Sequence, residues 1–303
     1  MKKRQLGQSD LLVSELGLGC MSLGTDEKQA YPILEAAVDK GINYFDTADL
    51  YDYGENERLL GTFLKPIREK VIIASKVGNR WNQQKDGWSW DPSKKYIKEA
   101  VKQSLLRLQT EYIDLYQLHG GTIDDPIEET IEAFEELKEE GFIRYYGISS
   151  IRPNVIREYA NKSSIVSVMM QYSLLDRRPE EEALPLLQDK KIGVVTRGPL
   201  AKGLISDKLL QKASSNGYLD YSFQELSELL PKLKEQLALS RSFTEIALQY
   251  NLAHPAVSSV IAGASSVEQL KENVKAIEST PLTKEEIELI QQLTIANKYE
   301  QHR

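Results

Sequence analysis

The length, composition and charge of the chain already exclude several classes of protein. The chain has 303 residues, of which 41% are hydrophobic and 27% are charged, and its formal net charge is -7. This composition is typical of a globular protein, and the acidic balance argues against nucleic acid or an anionic membrane as the main partner. The single cysteine, Cys20, excludes an intramolecular disulfide and fits a reducing compartment.

Targeting signals are not evident in the sequence. The opening MKKRQLGQSD is basic but lacks the apolar run of a signal peptide. A transmembrane helix would need a stretch of about 18 apolar residues, which does not occur. We therefore expect a cytoplasmic protein with no membrane partner, and no protein partner is evident.

One structural unit recurs along the chain, a short apolar run followed by an amphipathic segment. The apolar runs are rich in β-branched residues, as expected for parallel strands covered on both faces. They occupy residues 16–20, 42–47, 71–77, 113–119, 145–150, 165–172, 192–198 and 257–263. Eight such units predict an α/β protein with a closed (β/α)8 TIM barrel, formed as a single domain by residues 1–303.

Local signals add detail at the ends of elements. The segment LGQSDLLVSEL (6–16) has a polar turn between two apolar stretches, which predicts an N-terminal β-hairpin that caps the lower end of the barrel. Asp91-Pro92 and Asp125-Pro126 each predict a helix start, with Asp as the N-cap and Pro as the first helical residue.

Four polar residues follow or end the early strands. Asp46 ends the second strand, and Tyr51 lies in the loop after it; Lys76 ends the third strand and His119 the fourth. Each alone has an ordinary interpretation: a helix cap, a packing ring, a solvated charge and a core histidine. Together they lie on the carboxyl rim, where TIM barrels carry their active sites, and a buried lysine needs a carboxylate partner such as Asp46.

These residue types suit the reduction of a carbonyl group. Hydride transfer to a carbonyl needs a proton for the developing alkoxide, and a cation beside a phenol favours the phenolate form that allows proton exchange. Lys76 is the candidate cation, Asp46 holds it, and His119 can orient the substrate oxygen. The hydride must come from a cofactor, since no side chain carries one.

The motifs in this order and spacing resemble the aldo-keto reductase superfamily. They are LGLGCMSLG (16–24), FDTADLYDYGENERLLG (45–61), SK (75–76), LH (118–119), GISS (147–150) and GASSVEQLKEN (263–273). The resemblance is strongest to the bacterial general-stress type and the related potassium-channel β subunits. It implies a (β/α)8 barrel, NADPH as hydride donor, and Tyr51 as proton donor assisted by Lys76, Asp46 and His119.

The resemblance also implies where the cofactor binds. Gly17 and Gly19 lack the third glycine of a G-x-G-x-x-G motif, so a Rossmann unit is not supported. The cofactor residues implied are Cys20, Met21, Ser149, Ser150, Gln171, Arg197, Gly198, Pro199, Leu200, Gly203, Lys208, Gly263, Ser265, Gln269, Glu272 and Asn273. Ser149, Ser150 and Gln171 would bind the nicotinamide carboxamide, although Ser150 replaces the Asn or Arg of relatives.

Two departures from the family leave alternatives open. Arg197 replaces the aromatic residue that stacks on the nicotinamide ring, so its guanidinium either stacks there or turns to the pyrophosphate. Gly263 and Gln269 occupy positions where many NADPH-selective relatives carry Lys or Arg. NADH is therefore an alternative cofactor.

Tryptophans after the third strand, together with Met21, are candidates for the substrate pocket. Trp81, Trp88 and Trp90 lie in one loop. In one interpretation the three rings anchor this loop against the barrel. In the other, Trp81 and Trp88 form a pocket wall for a carbonyl substrate together with Met21. Cys20 beside Met21 is either packing or a redox switch. The three histidines lack the spacing of metal ligands, so we expect no metal.

Two other functions were weighed against carbonyl reduction. One is an NADPH-binding regulatory subunit with slow turnover, although the complete set of four residues argues against it. The other is a lyase that forms a Schiff base on Lys76, but pairing with Asp46 would keep that amine charged and a poor nucleophile.

Overall fold

A computed structural model describes residues 1–206, 215–237 and 241–303 of the chain. Its strands are β1 (Lys3–Gln5), β2 (Leu12–Ser14), β3 (Leu16–Gly19), β4 (Tyr44–Asp46), β5 (Ile72–Val77), β6 (Asn79–Trp81), β7 (Trp88–Trp90), β8 (Ile113–Leu118), β9 (Ile143–Ser149), β10 (Ser167–Gln171), β11 (Gly193–Arg197) and β12 (Val257–Ala262). Its helices are α1 (Glu27–Asp39), α2 (Glu55–Leu64), α3 (Lys94–Leu108), α4 (Ile127–Glu139), α5 (Pro153–Lys162), α6 (Ala183–Asp189), α7 (Phe223–Leu237), α8 (Phe243–Ala253), α9 (Val267–Glu278) and α10 (Lys284–Leu293).

The predicted barrel is confirmed. The strands β3, β4, β5, β8, β9, β10, β11 and β12 pair in parallel in that order, and β12 closes the sheet onto β3. Fully buried residues such as Ile73 and Leu118 pack between the strands and the helices. The near-continuous apolar runs in the sequence reflect this burial on both faces of each strand.

The N-terminal hairpin is confirmed as well. β1 pairs antiparallel with β2, and the turn closes with the amide of Leu6 donating to the carbonyl of Leu11 at 2.9 Å. Leu6, Leu11 and Val13 are fully buried in one apolar cluster with side chains of the barrel strands, including Tyr44. The hairpin therefore closes the end of the barrel opposite the carboxyl rim.

Both predicted helix starts are wrong by one or two residues. Helix α3 begins at Lys94 with Ser93 as its N-cap, because Asp91 instead accepts hydrogen bonds from the amide and hydroxyl of Ser93. Helix α4 begins at Ile127, and Pro126 lies at the cap position. The carboxylate of Asp125 binds Thr122 and the indole of Trp90 rather than the helix.

No helix in the described parts of the chain is long and apolar enough to cross a membrane.

Candidate active site at the carboxyl rim

The barrel brings the four predicted catalytic residues together. Asp46 is the last residue of β4, and Lys76 lies near the end of β5, which pairs with β4. His119 follows β8, the next strand of the barrel, and its amide donates to the carbonyl of Val77 at 2.7 Å. Tyr51 begins a short turn after β4. All four therefore lie at the carboxyl rim.

Lys76 is the centre of the hydrogen bonds in this group. Its fully buried ammonium donates to the Asp46 carboxylate and to the Thr47 carbonyl, both at 2.7 Å, and to the Tyr51 hydroxyl at 3.3 Å. Burial lowers the pKa of Lys76, but the interactions with Asp46 and Tyr51 together outweigh burial and raise this pKa above its ordinary value. Burial raises the pKa of Asp46, and Lys76 opposes this shift. The charged lysine is thus a hydrogen-bond donor to the phenol and not a free nucleophile.

The His119 imidazole lies edge-on to the Tyr51 ring, with 5.9 Å between the ring centroids and 83° between the planes. Burial, Lys76 and Arg197 lower the pKa of His119 to about 3. The ring is therefore neutral at physiological pH. Its Nδ1 is buried and has no hydrogen-bond partner among the described residues.

A cavity of about 760 Å³ opens above these groups, here called the rim cavity. Met21, Trp88 and His119 line this cavity. The position of Met21 and Trp88 agrees with the prediction that both belong to a substrate pocket. Trp81 does not line the rim cavity: this ring lies edge-on to Tyr53 and under the guanidinium of Arg107, facing a second cavity outside the barrel.

Residues 298–302, here called the C-terminal segment, form another wall of the rim cavity, which the sequence reasoning missed. The guanidinium of Arg178 lies 4.8 Å above the Tyr299 ring and also binds the buried Asp176 through two hydrogen bonds of 2.7 and 2.8 Å. The amide of Asn154 donates to the carbonyl of His302 at 2.9 Å. The consecutive charged residues Asp176, Arg177 and Arg178 were a local signal that a charge cluster lies here.

The residues expected to hold the nicotinamide also converge. Ser149, Ser150 and Arg197 line the rim cavity. Gln171 accepts from the Arg197 guanidinium at 3.2 Å, and its amide donates to Asp176 at 2.8 Å and to the Tyr218 hydroxyl at 3.2 Å. The side chain is thus held in place by Asp176, the same carboxylate that binds Arg178.

The loop after β11 could cradle the diphosphate of a dinucleotide. It includes Gly198, Pro199, Leu200 and Gly203, and the amide of Gly203 donates to the carbonyl of Leu200 at 2.7 Å. Gly198 and Gly203 have φ angles of 67° and 90°, a region that favours glycine. Lys208 lies outside the described residues.

The start of α9 offers a second anion site. Ser266 caps the helix by accepting from the amide of Gln269, and the exposed Ser265 donates through its hydroxyl to the Gln269 side chain at 3.1 Å. Amides at a helix N-terminus attract anions such as a ribose phosphate. Glu272 is exposed beyond them on the same helix.

Close packing explains one departure from the family pattern. A Cβ on Gly263 would lie 2.8 Å from the Ser22 hydroxyl and 3.0 Å from its Cβ. That hydroxyl binds the backbone of Ala264, so a Lys or Arg at position 263 would have to displace Ser22 from these hydrogen bonds. Asn273 is buried and donates to the carbonyl of Gly263.

Cys20 is fully buried in the core, where burial raises the pKa of its thiol, and it does not line the rim cavity.

Comparison with known proteins agrees with this geometry. A model of the aldo/keto reductase family matches residues 15–295. The uncharacterized oxidoreductase YqkF of Bacillus subtilis is 61% identical over 100% of both chains. The holo form of aldo-keto reductase AKR11C1 from Bacillus halodurans is 63% identical with a TM-score of 0.95, over 100% of this chain and 99% of that one. The NADH-specific methylglyoxal reductase of Escherichia coli is 30% identical over 91% of this chain and 94% of its own.

The family match extends over nearly the whole chain, and two of these relatives, YqkF and AKR11C1, cover it from end to end. The protein is accordingly an NAD(P)H-dependent oxidoreductase that acts on the carbonyl groups of small molecules. This confirms the resemblance found in the sequence motifs: the chain belongs to the aldo/keto reductase family.

Proposed function

We propose that the protein reduces aldehydes and ketones with NADPH, and that Tyr51 donates the proton. The observation that carries this proposal is the contact of 3.3 Å between the Tyr51 hydroxyl and the buried, charged Lys76 on the wall of the rim cavity. An ammonium at this distance stabilises the phenolate that remains when the proton leaves.

Each residue of the group then has a separate role. Bound NADPH would supply the hydride to the carbonyl carbon. The neutral imidazole of His119 would orient the substrate oxygen, and the Tyr51 proton passes to that oxygen as negative charge develops. Asp46 keeps Lys76 charged, so that the phenolate is stabilised until solvent returns a proton to it.

Separate observations favour each of the two possible cofactors, NADPH and NADH. Ser265, Gln269 and the N-terminus of α9 favour a ribose phosphate and hence NADPH. A cationic side chain at position 263 would have to displace Ser22, and one relative is named NADH-specific. NADH is therefore the alternative that must be measured beside NADPH.

The test compares the unmodified chain with Tyr51→Phe, using NADPH and 4-nitrobenzaldehyde and following absorbance at 340 nm. We expect Tyr51→Phe to lower kcat by about 100-fold or more, because a positioned general acid contributes roughly that much. Its affinity for NADPH, measured by fluorescence titration, should change little. Equal turnover by the two proteins would refute the role of Tyr51, and no turnover by either would refute the substrate class.

A further inference from the structure

The turn that carries Tyr51 has a strained backbone. Directly after Tyr51, Asp52 and Tyr53 have φ angles of 48° and 52°, and Gly54 has one of 88°. Two consecutive non-glycine residues in the left-handed region persist only where the surrounding structure holds them. The position of the Tyr51 hydroxyl therefore depends on the contacts that hold the rest of the turn and the start of α2 in place.

A buried carboxylate at the start of α2 supplies one fixed point. Glu57 is fully buried, and it accepts from the Ser75 hydroxyl at 2.5 Å and from Arg107 Nε at 2.7 Å. Ser75 immediately precedes Lys76 on β5. Glu57 thus connects the helix after the Tyr51 turn to the strand that carries Lys76, and Arg107 holds this connection from α3.

Arg107 also closes over the turn itself. A Cβ on Gly54 would lie 2.7 Å from Arg107 Cδ and 3.2 Å from the Trp81 ring. The Arg107 guanidinium stacks on Trp81 at 5.2 Å, and Trp81 meets the Tyr53 ring edge-on at 6.3 Å. Glu57, Gly54 and Tyr53 are therefore all held by Arg107, directly or through Trp81.

We propose that Arg107 is a positioning residue for the reaction: from outside the barrel, it fixes the strained turn so that the Tyr51 hydroxyl stays within hydrogen-bond distance of Lys76. Trp81 assists by packing between Arg107 and Tyr53. Arg107 does not line the rim cavity, so its loss should leave the binding of cofactor and substrate largely intact. This inference rests on the proposed role of Tyr51 as proton donor.

The test replaces Arg107 by Met, which keeps an unbranched side chain as far as the position of Nε but removes the guanidinium and its hydrogen bonds to Glu57 and Ser104. We expect kcat for 4-nitrobenzaldehyde to fall about 10- to 100-fold, since a small displacement of a catalytic group can cost that much. KM and the dissociation constant of NADPH should stay within about twofold of the unmodified values. The solvent deuterium isotope effect on kcat should increase, because proton donation becomes the slow step. Arg107→Lys should recover part of kcat by keeping a cation beside Glu57.

Arg68 offers a matched control at the other end of the barrel. Its side chain is 11% exposed, beside 10% for Arg107; it binds the buried Asp114 at 2.7 Å and stacks on Tyr112 at 4.1 Å. Arg68→Met should lose at least as much stability while keeping kcat and the isotope effect, because Arg68 also donates to Thr110 and to the carbonyls of Val71 and Tyr112. If Arg107→Met does not fold, Arg107→Met with Glu57→Gln removes the unpaired buried charge and should show the same loss of kcat.

Two results would overturn the proposal. One is an unchanged kcat and isotope effect in the folded Arg107 variants, and the other is an equal loss of kcat in Arg68→Met. Either result leaves the role of Tyr51 standing, because that role is judged by Tyr51→Phe alone.

Discussion

His119 shows at the scale of one residue how the barrel tunes a side chain. Burial first, and then the positive charges of Lys76 and Arg197, lower its pKa to about 3 from an ordinary value of 6.5. A neutral ring next to Lys76 avoids a second positive charge at the rim. Burial keeps the imidazole neutral, as hydrogen bonding to a substrate oxygen requires. The same burial makes the free energy of unfolding depend on pH in acid.

We predict that His119 makes stability fall as the pH is lowered from about 6.5 towards 3. In that window the unfolded chain binds a proton at residue 119 and the folded chain does not, so protons favour unfolding. In urea titrations, the free energy of unfolding of the unmodified chain minus that of His119→Gln should fall by about 1 kcal/mol between pH 6.5 and 5.5. The difference between the two proteins removes the contribution of His254, whose pKa burial also lowers. A difference that is constant with pH would contradict the buried neutral state.

At the scale of elements, the lower end of the barrel contributes to stability and the carboxyl rim contributes to activity. The hairpin β1–β2 fills the lower end with apolar side chains, whereas the carboxyl rim holds the polar group around Lys76. In TIM barrels, changes at the lower end typically affect stability and changes at the rim affect activity. Gly7 in the hairpin turn allows this division to be tested.

We predict that Gly7→Ala lowers the free energy of unfolding by about 3 kcal/mol while kcat of the folded protein is unchanged. Gly7 has a φ of 56°, and a Cβ there would lie 2.2 Å from the carbonyl oxygen of Val166. Gly141→Ala is the matched control, because Gly141 has a φ of 80° but no atom within 4 Å of an added Cβ. The control should lose only about 1 kcal/mol, for the backbone conformation alone. Equal losses in urea titrations would mean that the close contact does not matter.

The sequence predicted the barrel, the hairpin and the four rim residues for a common reason. Strand periodicity and order along the chain determine which residues end neighbouring strands, so Asp46, Lys76 and His119 could be brought to one rim without knowing any contact. The helix starts at Asp91 and Asp125 were wrong because other side chains compete for those carboxylates.

Features that depend on packing between distant segments could not be predicted. The residues of the C-terminal segment are 120 positions from Arg178 or more in the chain, and no local pattern links Tyr299 to that guanidinium. Trp81 shares a loop with Trp88, yet only Trp88 reaches the rim cavity. Loop composition gives the residue types, but the direction of each ring is set by partners such as Arg107.

At the scale of the whole molecule, the rim gathers residues from both ends of the chain. Met21 follows the first barrel strand, and the C-terminal segment forms another wall of the same cavity. Together with the hairpin buried under the barrel, this supports our proposal that residues 1–303 fold as one domain. A dinucleotide along the late strands would then contact parts of the structure from β3 to α9 and stabilise all of them at once.

We predict that NADPH at 100 times its dissociation constant stabilises the protein by about 2.7 kcal/mol, or about 4 °C in Tm. NADH at the same concentration should give a smaller shift in Tm if Ser265, Gln269 and the start of α9 bind the ribose phosphate.

Gln269→Arg adds a cation at the start of α9 and should tighten NADPH binding about tenfold, since a charge-assisted hydrogen bond contributes about 1.5 kcal/mol. The same variant should leave the shift with NADH unchanged, and Tyr51→Phe should keep both shifts because it alters proton donation and not binding. Thermal melts of the three proteins with each nucleotide separate the two cofactors, and equal shifts with NADPH and NADH in all three would contradict a phosphate site at α9.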